Sequence, residues 1–113
     1  MNNDDERQRR HDYDQRQYRV MLERLDDFLA ERRHLMQTIG DLETLLNVLE
    51  GEVNERWACE VSDLCNKLEV INAGHHGSIG PSLSREDLRK SREIAEELKR
   101  LVIPKIEPLS ADE

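Results

Sequence analysis

The most constraining feature of the sequence is a proline-free stretch from His11 to Asn72 whose apolar residues recur at alternating steps of three and four. Such steps place side chains on one side of an α-helix, whereas a half-buried strand alternates at every second residue. The apolar positions of this series are Tyr18, Met21, Leu25, Phe28, Leu35, Ile39, Leu42, Leu46, Leu49 and Val53, with Arg32 at the one position that interrupts them. The pattern predicts an all-α chain.

The series shifts phase after Val53. Two steps of four, to Trp57 and Val61, precede the return to the three-and-four rhythm at Leu64 and Leu68. A four-residue insertion of this kind lets a helix continue while its apolar side rotates. The stripe is also wider than a two-stranded coiled coil requires, so bundle packing is favoured.

Two glycines interrupt this helical pattern. Gly40 and Gly51 each weaken a helix by about 1 kcal/mol relative to Ala. Thr38 and Asp41 resemble a weak capping pair around Gly40, so we predict that residues 11–72 form a helical hairpin with its break near 38–41. An unbroken helix is the alternative, because the heptad phase runs straight through Gly40.

A new segment begins after Asn72. Residues 73–84 read AGHHGSIGPSLS and contain three glycines and a proline, which indicates a loop. Ser84, followed by Asp87 three residues later, predicts the cap of a third helix over residues 85–103, which Pro104 ends. The charged residues 1–10 and the tail 104–113 are expected to be flexible ends.

The composition indicates that a single copy of this chain can bury only a small hydrophobic core. Of its 113 residues, 36% are apolar and 4% aromatic. A short chain with long amphipathic helices needs facing surface, so we expect a homodimer or a protein partner to complete the core. The expected interface is the apolar ridge along one side of the second predicted helix, because this ridge is longer than the third helix can cover. Its members are Leu42, Leu46, Leu49, Val53, Trp57, Val61, Leu64 and Leu68.

Trp57 is the only tryptophan, and it lies where the heptad phase shifts. Tryptophan is enriched among the residues that anchor interfaces. Ordinary core packing explains its position equally well, so the sequence leaves both roles open.

The charge balance bears on the kind of partner. The net charge is −8, with 17 basic and 25 acidic residues, and residues 38–72 hold 2 of the basic and 8 of the acidic ones. Binding to nucleic acid is disfavoured, because phosphate contacts need clustered Lys and Arg. The acidic middle could meet a basic partner surface, or it could be a solvated face.

The sequence shows neither a bilayer-spanning apolar run nor the apolar core of a signal peptide, so we expect a cytoplasmic protein. Cys59 and Cys65 lie six residues apart in a predicted helix and point in different directions. Reduced thiols are expected.

No motif indicates catalysis, so the chain is predicted not to be an enzyme and to hold no cofactor. Glycine-rich phosphate loops and nucleophile elbows are missing, as are the strands on which they form. His75 and His76 are adjacent, but a metal site needs three or four converging ligands, so no metal is predicted. His34 on the first helix is interpreted as a surface histidine.

The layout resembles a known family. A three-helix acidic chain of this length, with a long apolar side left for dimerisation and a GxxGP loop before its last helix, is similar to the small antiactivators of quorum sensing. The resemblance covers the whole chain in layout and includes no short signature motif. It implies an inhibitor that sequesters a LuxR-type transcription regulator by occupying its dimerisation surface, so that the regulator cannot bind its promoter.

Two other functions fit the sequence. A DNA-binding regulator or antitoxin could use helix 85–103, where Arg85, Arg89, Lys90 and Arg92 are interleaved with acidic residues. A helical chaperone for a secreted protein would also suit the small size and the acidic charge. Retention on duplex DNA would separate the first of these from a protein-binding role.

Overall fold

The structure is a computed structural model that describes residues 3–51, 53–75 and 84–107. Its helices are α1 (Asn3–Leu29), α2 (Leu35–Asn47), α3 (Glu55–His75) and α4 (Arg85–Val102), followed by a 3-10 turn over Ile103–Lys105. The described residues contain no strand, which confirms the all-α prediction. The long helical stretch consists of three helices in place of the predicted two-helix hairpin.

The four helices form a closed ring in which each packs against two others: α1 against α2 and α4, and α3 against the same two. One core fills the centre of this ring, built from members of the three-and-four series together with Cys65 and the apolar side of α4. Its most deeply buried members are Met21, Leu25, Leu42, Val61, Cys65, Leu68, Ala95, Leu98 and Val102. The bundle therefore buries apolar sides of all four helices within a single chain.

The first helical break lies at residues 30–34, where the sequence has neither glycine nor proline. Glu31 adopts the left-handed conformation, with φ of 63°. Its N–H donates to Phe28 O and the Arg32 N–H donates to Asp27 O, the bond pattern of a Schellman C-cap. The apolar contact that usually accompanies this cap is replaced by an ion pair between Arg32 and Asp27, 3.1 Å long.

The prediction of a break near 38–41 was wrong. Gly40 lies inside α2, and the Thr38 hydroxyl donates to the His34 carbonyl oxygen at 2.9 Å, within the first turn of the helix. Helix α2 is instead capped at His34, where the Gln37 side chain accepts from the His34 backbone N–H. Thr38 therefore belongs to the body of the helix and not to a turn.

The second break lies at residues 48–54 and includes the other weak point, Gly51. Both carboxylate oxygens of the buried Asp14 accept backbone N–H groups there, from Glu50 and Gly51, at 2.8 Å each. A Cβ on Gly51 would stand 2.7 Å from Asp14 Oδ2, so a larger residue would force the Asp14 carboxylate out of its present position. Asn54 then caps α3 by accepting the Trp57 N–H at 3.0 Å.

The amino-terminal end differs from its prediction. Residues 1–10 were expected to be flexible, but α1 begins at Asn3. Its exposed first turns are supported by pairs at helical spacing, among them Glu6 with Arg9 at 2.9 Å and with Arg10 at 3.1 Å. Arg9 also reaches Glu50 at 3.2 Å, which ties this end to the α2–α3 connection.

The last helix confirms its predicted start, because the Ser84 hydroxyl accepts the Asp87 N–H at 3.1 Å. Beyond it, the described part of the expected tail 104–113 is held in place. The Gln15 side chain donates to Lys105 O at 2.7 Å and accepts from the Glu107 N–H at 2.8 Å. Residues 76–83 of the predicted loop 73–84, and residues 108–113, lie outside the described residues; residues 73–75 continue α3.

Within the three described ranges, every helix is too short or too polar to cross a lipid bilayer.

Candidate partner-binding surface

The ridge predicted as an interface lies mostly inside the bundle. Leu42, Trp57, Val61, Leu64 and Leu68 are buried, with between 0% and 7% of each residue exposed. Leu46, Leu49 and Val53 are half-buried and pack against the same core. Most of the ridge is covered within one chain, because the ring of four helices supplies the facing surface that a hairpin plus one helix would lack.

Trp57 illustrates this core role. Its indole Nε1 donates to Leu101 O at 2.7 Å, which links the start of α3 to the end of α4. The Tyr18 ring stands edge-on to it, with centroids 5.7 Å apart, and the Lys105 ammonium lies 5.1 Å from the indole centroid. Of the two roles that the sequence left open, the geometry assigns Trp57 to packing.

The outer surface of α2 carries no exposed charge. Within α2 only Asp41 and Glu43 are charged, and neither occupies an exposed position. Asp41 pairs with Arg24 of α1 at 3.3 Å and with Arg33 of the connection between α1 and α2. The five exposed positions of the helix all lack charge: Met36, Gln37, Gly40, Thr44 and Asn47. Met36 is 62% exposed.

Helix α3 presents a similar surface beside α2. The two helices are packed together, and the carboxyl groups of Glu43 and Glu69 lie within hydrogen-bonding reach of each other. Residues spaced three and four apart from these two share their sides of the helices. We call this surface the α2–α3 face; its members are Met36, Gly40, Glu43 and Asn47 of α2 and Cys59, Ser62, Asn66, Glu69 and Ala73 of α3.

Apart from its two carboxyl groups, the α2–α3 face is uncharged, and several of its side chains are small. Apart from the adjoining residues and backbone of α2 itself, no atom of the described residues lies within 4 Å of the position that a Gly40 Cβ would take, so the surface is open there. Val70, which is 71% exposed, borders the α3 side. Interface centres are depleted in charge and enriched in Met, and small residues let another helix approach closely.

The surroundings of Glu43 alter its ionisation. Burial raises the pKa of the Glu43 carboxyl above its ordinary value, and Glu69 raises it further. Burial, together with the nearby Glu43 and Glu69, also raises the pKa of the Cys65 thiol to about 12. Within the described residues, no Lys or Arg forms an ion pair with either carboxylate. The α2–α3 face thus carries a local negative charge that the fold leaves uncompensated.

The outer surface of α4 has the opposite character. All nine exposed residues of this helix are charged: Arg85, Glu86, Arg89, Lys90, Arg92, Glu93, Glu96, Glu97 and Arg100. Arg89 is held between Glu86 and Glu93, at 2.6 Å from each. This acidic interleaving cancels much of the positive potential that DNA binding by helix 85–103 would need.

The remaining candidate groups do not converge on a site. Among the described residues, no three His, Cys, Asp or Glu side chains are grouped as metal ligands. His76 lies outside the described residues, and the side chain of His75 is not described. Cys59 is an exposed free thiol and Cys65 a buried one.

The chain matches no protein-family model, no curated protein and no solved structure with which it was compared.

Proposed function

We propose that this protein is a non-enzymatic, protein-binding regulator that works by covering a surface of its partner with the α2–α3 face. The observation that supports this most directly is the contrast in exposed charge: five uncharged positions on α2 against nine charged ones on α4. Solvated helix surfaces are ordinarily polar and charged, so an exposed surface without charge favours burial against another protein.

The partner that we propose is a LuxR-type transcription regulator, on the basis of the resemblance to quorum-sensing antiactivators. In this proposal the α2–α3 face covers the regulator's dimerisation surface. The regulator's monomer–dimer equilibrium then shifts by mass action, and the dimeric form that binds promoter DNA is depleted. The chain acts in the cytoplasm and performs no covalent step.

The test uses the ligand-binding domain of a purified LuxR-type regulator. Light scattering on the mixture should show the regulator's dimer replaced by a complex that contains the present chain. With the full-length regulator, promoter DNA should no longer be retained. A regulator that stays dimeric at saturating concentrations of the present chain would overturn the proposal.

A substitution at Gly40 can test binding by the face without destabilising the fold. Gly40→Arg puts a long cation at the centre of the face, and Arg is a strong helix former with open space at this position. We expect it to fold at least as stably as the native chain and yet to lose binding. Gly40→Ala should bind like the native chain, and so should Glu97→Gln, which makes the matched change of +1 in charge at an exposed position of α4. Equal binding by Gly40→Arg and the native chain would rule out the face.

The same mixtures address the alternative functions. A DNA-binding regulator or antitoxin would retain duplex DNA without the LuxR-type protein, and Arg92→Glu would weaken that retention. A chaperone would bind an unfolded secretory protein in preference to a folded regulator. The proposed function predicts neither result.

A further inference from the structure

Resting on the proposed function, we infer that the segment docking on the α2–α3 face is an amphipathic helix of the partner that places an Arg or Lys side chain opposite Glu43 and Glu69. The two carboxyl groups lie side by side on an otherwise uncharged surface. A cationic side chain is the partner group that complements them, and its hydrogen bonds are stronger where water is excluded.

The shape of the face fits a helix. Its α2 side runs from Met36 to Asn47 and its α3 side from Cys59 to Ala73, about 17 Å and about 21 Å at 1.5 Å per residue. Two neighbouring helices leave a groove between their rows of side chains, into which the ridge of a third helix can pack. A partner helix of three to four turns, about 11 to 14 residues, matches these lengths.

The small residues set where this helix can approach most closely. Gly40 on one side and Ser62 on the other precede Glu43 and Glu69 by three and seven residues and lie on the same sides of their helices. Met36, at the start of the α2 side, adds a flexible apolar surface that adapts to different partners. The face thus combines small and uncharged side chains with one negatively charged position.

The same charge argues against a second copy of this chain as the occupant. Symmetric pairing with its twofold axis near the centre of the α2–α3 face would bring Glu43 and Glu69 of both copies together, four carboxyl groups in all. Like charges placed in contact at an interface are strongly unfavourable. The homodimer expected from composition would therefore have to form through a different surface.

Three cross-linked helical peptides of 14 residues provide the probe. They share an apolar stripe of Leu and Ala and differ only at one central flanking residue, which is Arg, Gln or Glu. Binding to the full chain is followed by fluorescence anisotropy. The Arg peptide should bind about tenfold more tightly than the Gln peptide, and the Glu peptide more weakly still.

Two double variants separate the proposed contact from general attraction to an acidic protein. Glu43→Gln with Glu69→Gln should abolish the preference for Arg over Gln. Glu60→Gln with Asp63→Asn removes two acidic residues from positions of α3 outside the face and should keep this preference. The preference should also shrink as salt is added, because exposed charges are screened.

Equal affinity for the Arg and Gln peptides, or no binding by any of the three, would overturn this inference. So would equal effects of the two double variants. The proposed function fails separately: peptide binding that shows the Arg preference, while LuxR-type regulators stay dimeric, would keep the docking chemistry and reject the named partner.

Discussion

The α2–α3 face and the outer surface of α4 have similar secondary structure and similar apolar backing, yet they differ in what they expose. On α4 every exposed position is charged, and Arg89 is satisfied within its own helix by Glu86 and Glu93. On α2 no exposed position is charged, and the uncompensated charge of the face is confined to Glu43 and Glu69. Charge on α4 keeps that surface in water, whereas its depletion on α2 leaves a surface that another protein can cover.

The two surfaces differ in the residues that they expose, whereas the buried sides of α3 and α4 should contribute equally to one core. Leu68 of α3 and Leu98 of α4 are both completely buried. Leu68→Ala and Leu98→Ala should each lower the free energy of unfolding by about 2 to 5 kcal/mol, because both leave a cavity in one shared core. Urea unfolding measures this.

A control for that prediction lies two residues from Leu68. Val70→Ala, at a position that is 71% exposed, should change the free energy of unfolding by less than about 0.5 kcal/mol. If Leu68→Ala lowered the free energy of unfolding only slightly while Leu98→Ala lowered it by the full amount, the α3 ridge would not belong to the core. The interface first expected from the sequence would then regain support.

Gly40→Ala sharpens the comparison at the centre of the α2–α3 face. The position is helical and open, so the substitution should raise the free energy of unfolding by about 1 kcal/mol through helix propensity alone. Thermal or urea unfolding gives the value. Destabilisation would show that Gly40 is packed against another part of the chain and is not available to a partner.

Glu43→Gln tests the charge of the face through pH. The folded-state pKa of Glu43 is raised, so its contribution to stability is fully present below the ordinary pKa of 4.5 and is lost as pH rises through the higher folded value. The groups that face it are Glu69 and Cys65. Unfolding measured across the acid range should show a decline in the native chain that is smaller in the variant; identical pH profiles would contradict the pairing of the carboxyl groups.

Arg89→Gln should give the smallest change, on the α4 surface. Its ion pairs are fully exposed, and such pairs are screened by salt. A slight fall in melting temperature at low salt should disappear at high salt. A large fall that persists in salt would mean that α4 charges stabilise the core, which the comparison excludes.

The sequence was sufficient for the helical class and for most of the core, because the three-and-four series marks the side of each helix that is buried. It was also sufficient for the Ser84 cap, where a hydroxyl and an acid at the right spacing identify a helix start. These features are local in the chain, so local pattern predicts them.

The breaks show what local pattern could not decide. Gly40 looked like the weak point, but a single glycine costs little in a helix whose other side is buried. Arg32, the one charged residue in the apolar series, stands at the true break and pairs with Asp27. The need for glycine at position 51 depends on Asp14, which is 37 residues away and can be recognised only in the folded chain.

The α2–α3 face was missed for a related reason. The apolar pattern of the sequence marks the ridge from Leu42 to Leu68, and such a ridge is buried when the bundle folds. The informative signal was a lack of charge outside that ridge: residues 35–49 contain only Asp41 and Glu43 as charged residues. Which of these uncharged residues stay exposed depends on the neighbouring helices, and so required the structure.

Cys59 offers the most direct measurement of the central claim that a partner covers the α2–α3 face. Its thiol is exposed on that face, whereas Cys65 is buried and unreactive. Alkylation of Cys59 by a maleimide should slow by about tenfold or more when a LuxR-type regulator is bound at saturation. In an Arg92→Cys variant, the cysteine on α4 should react at an unchanged rate. Unchanged reactivity of Cys59 in the presence of the regulator, or protection of the α4 cysteine in its place, would contradict the account.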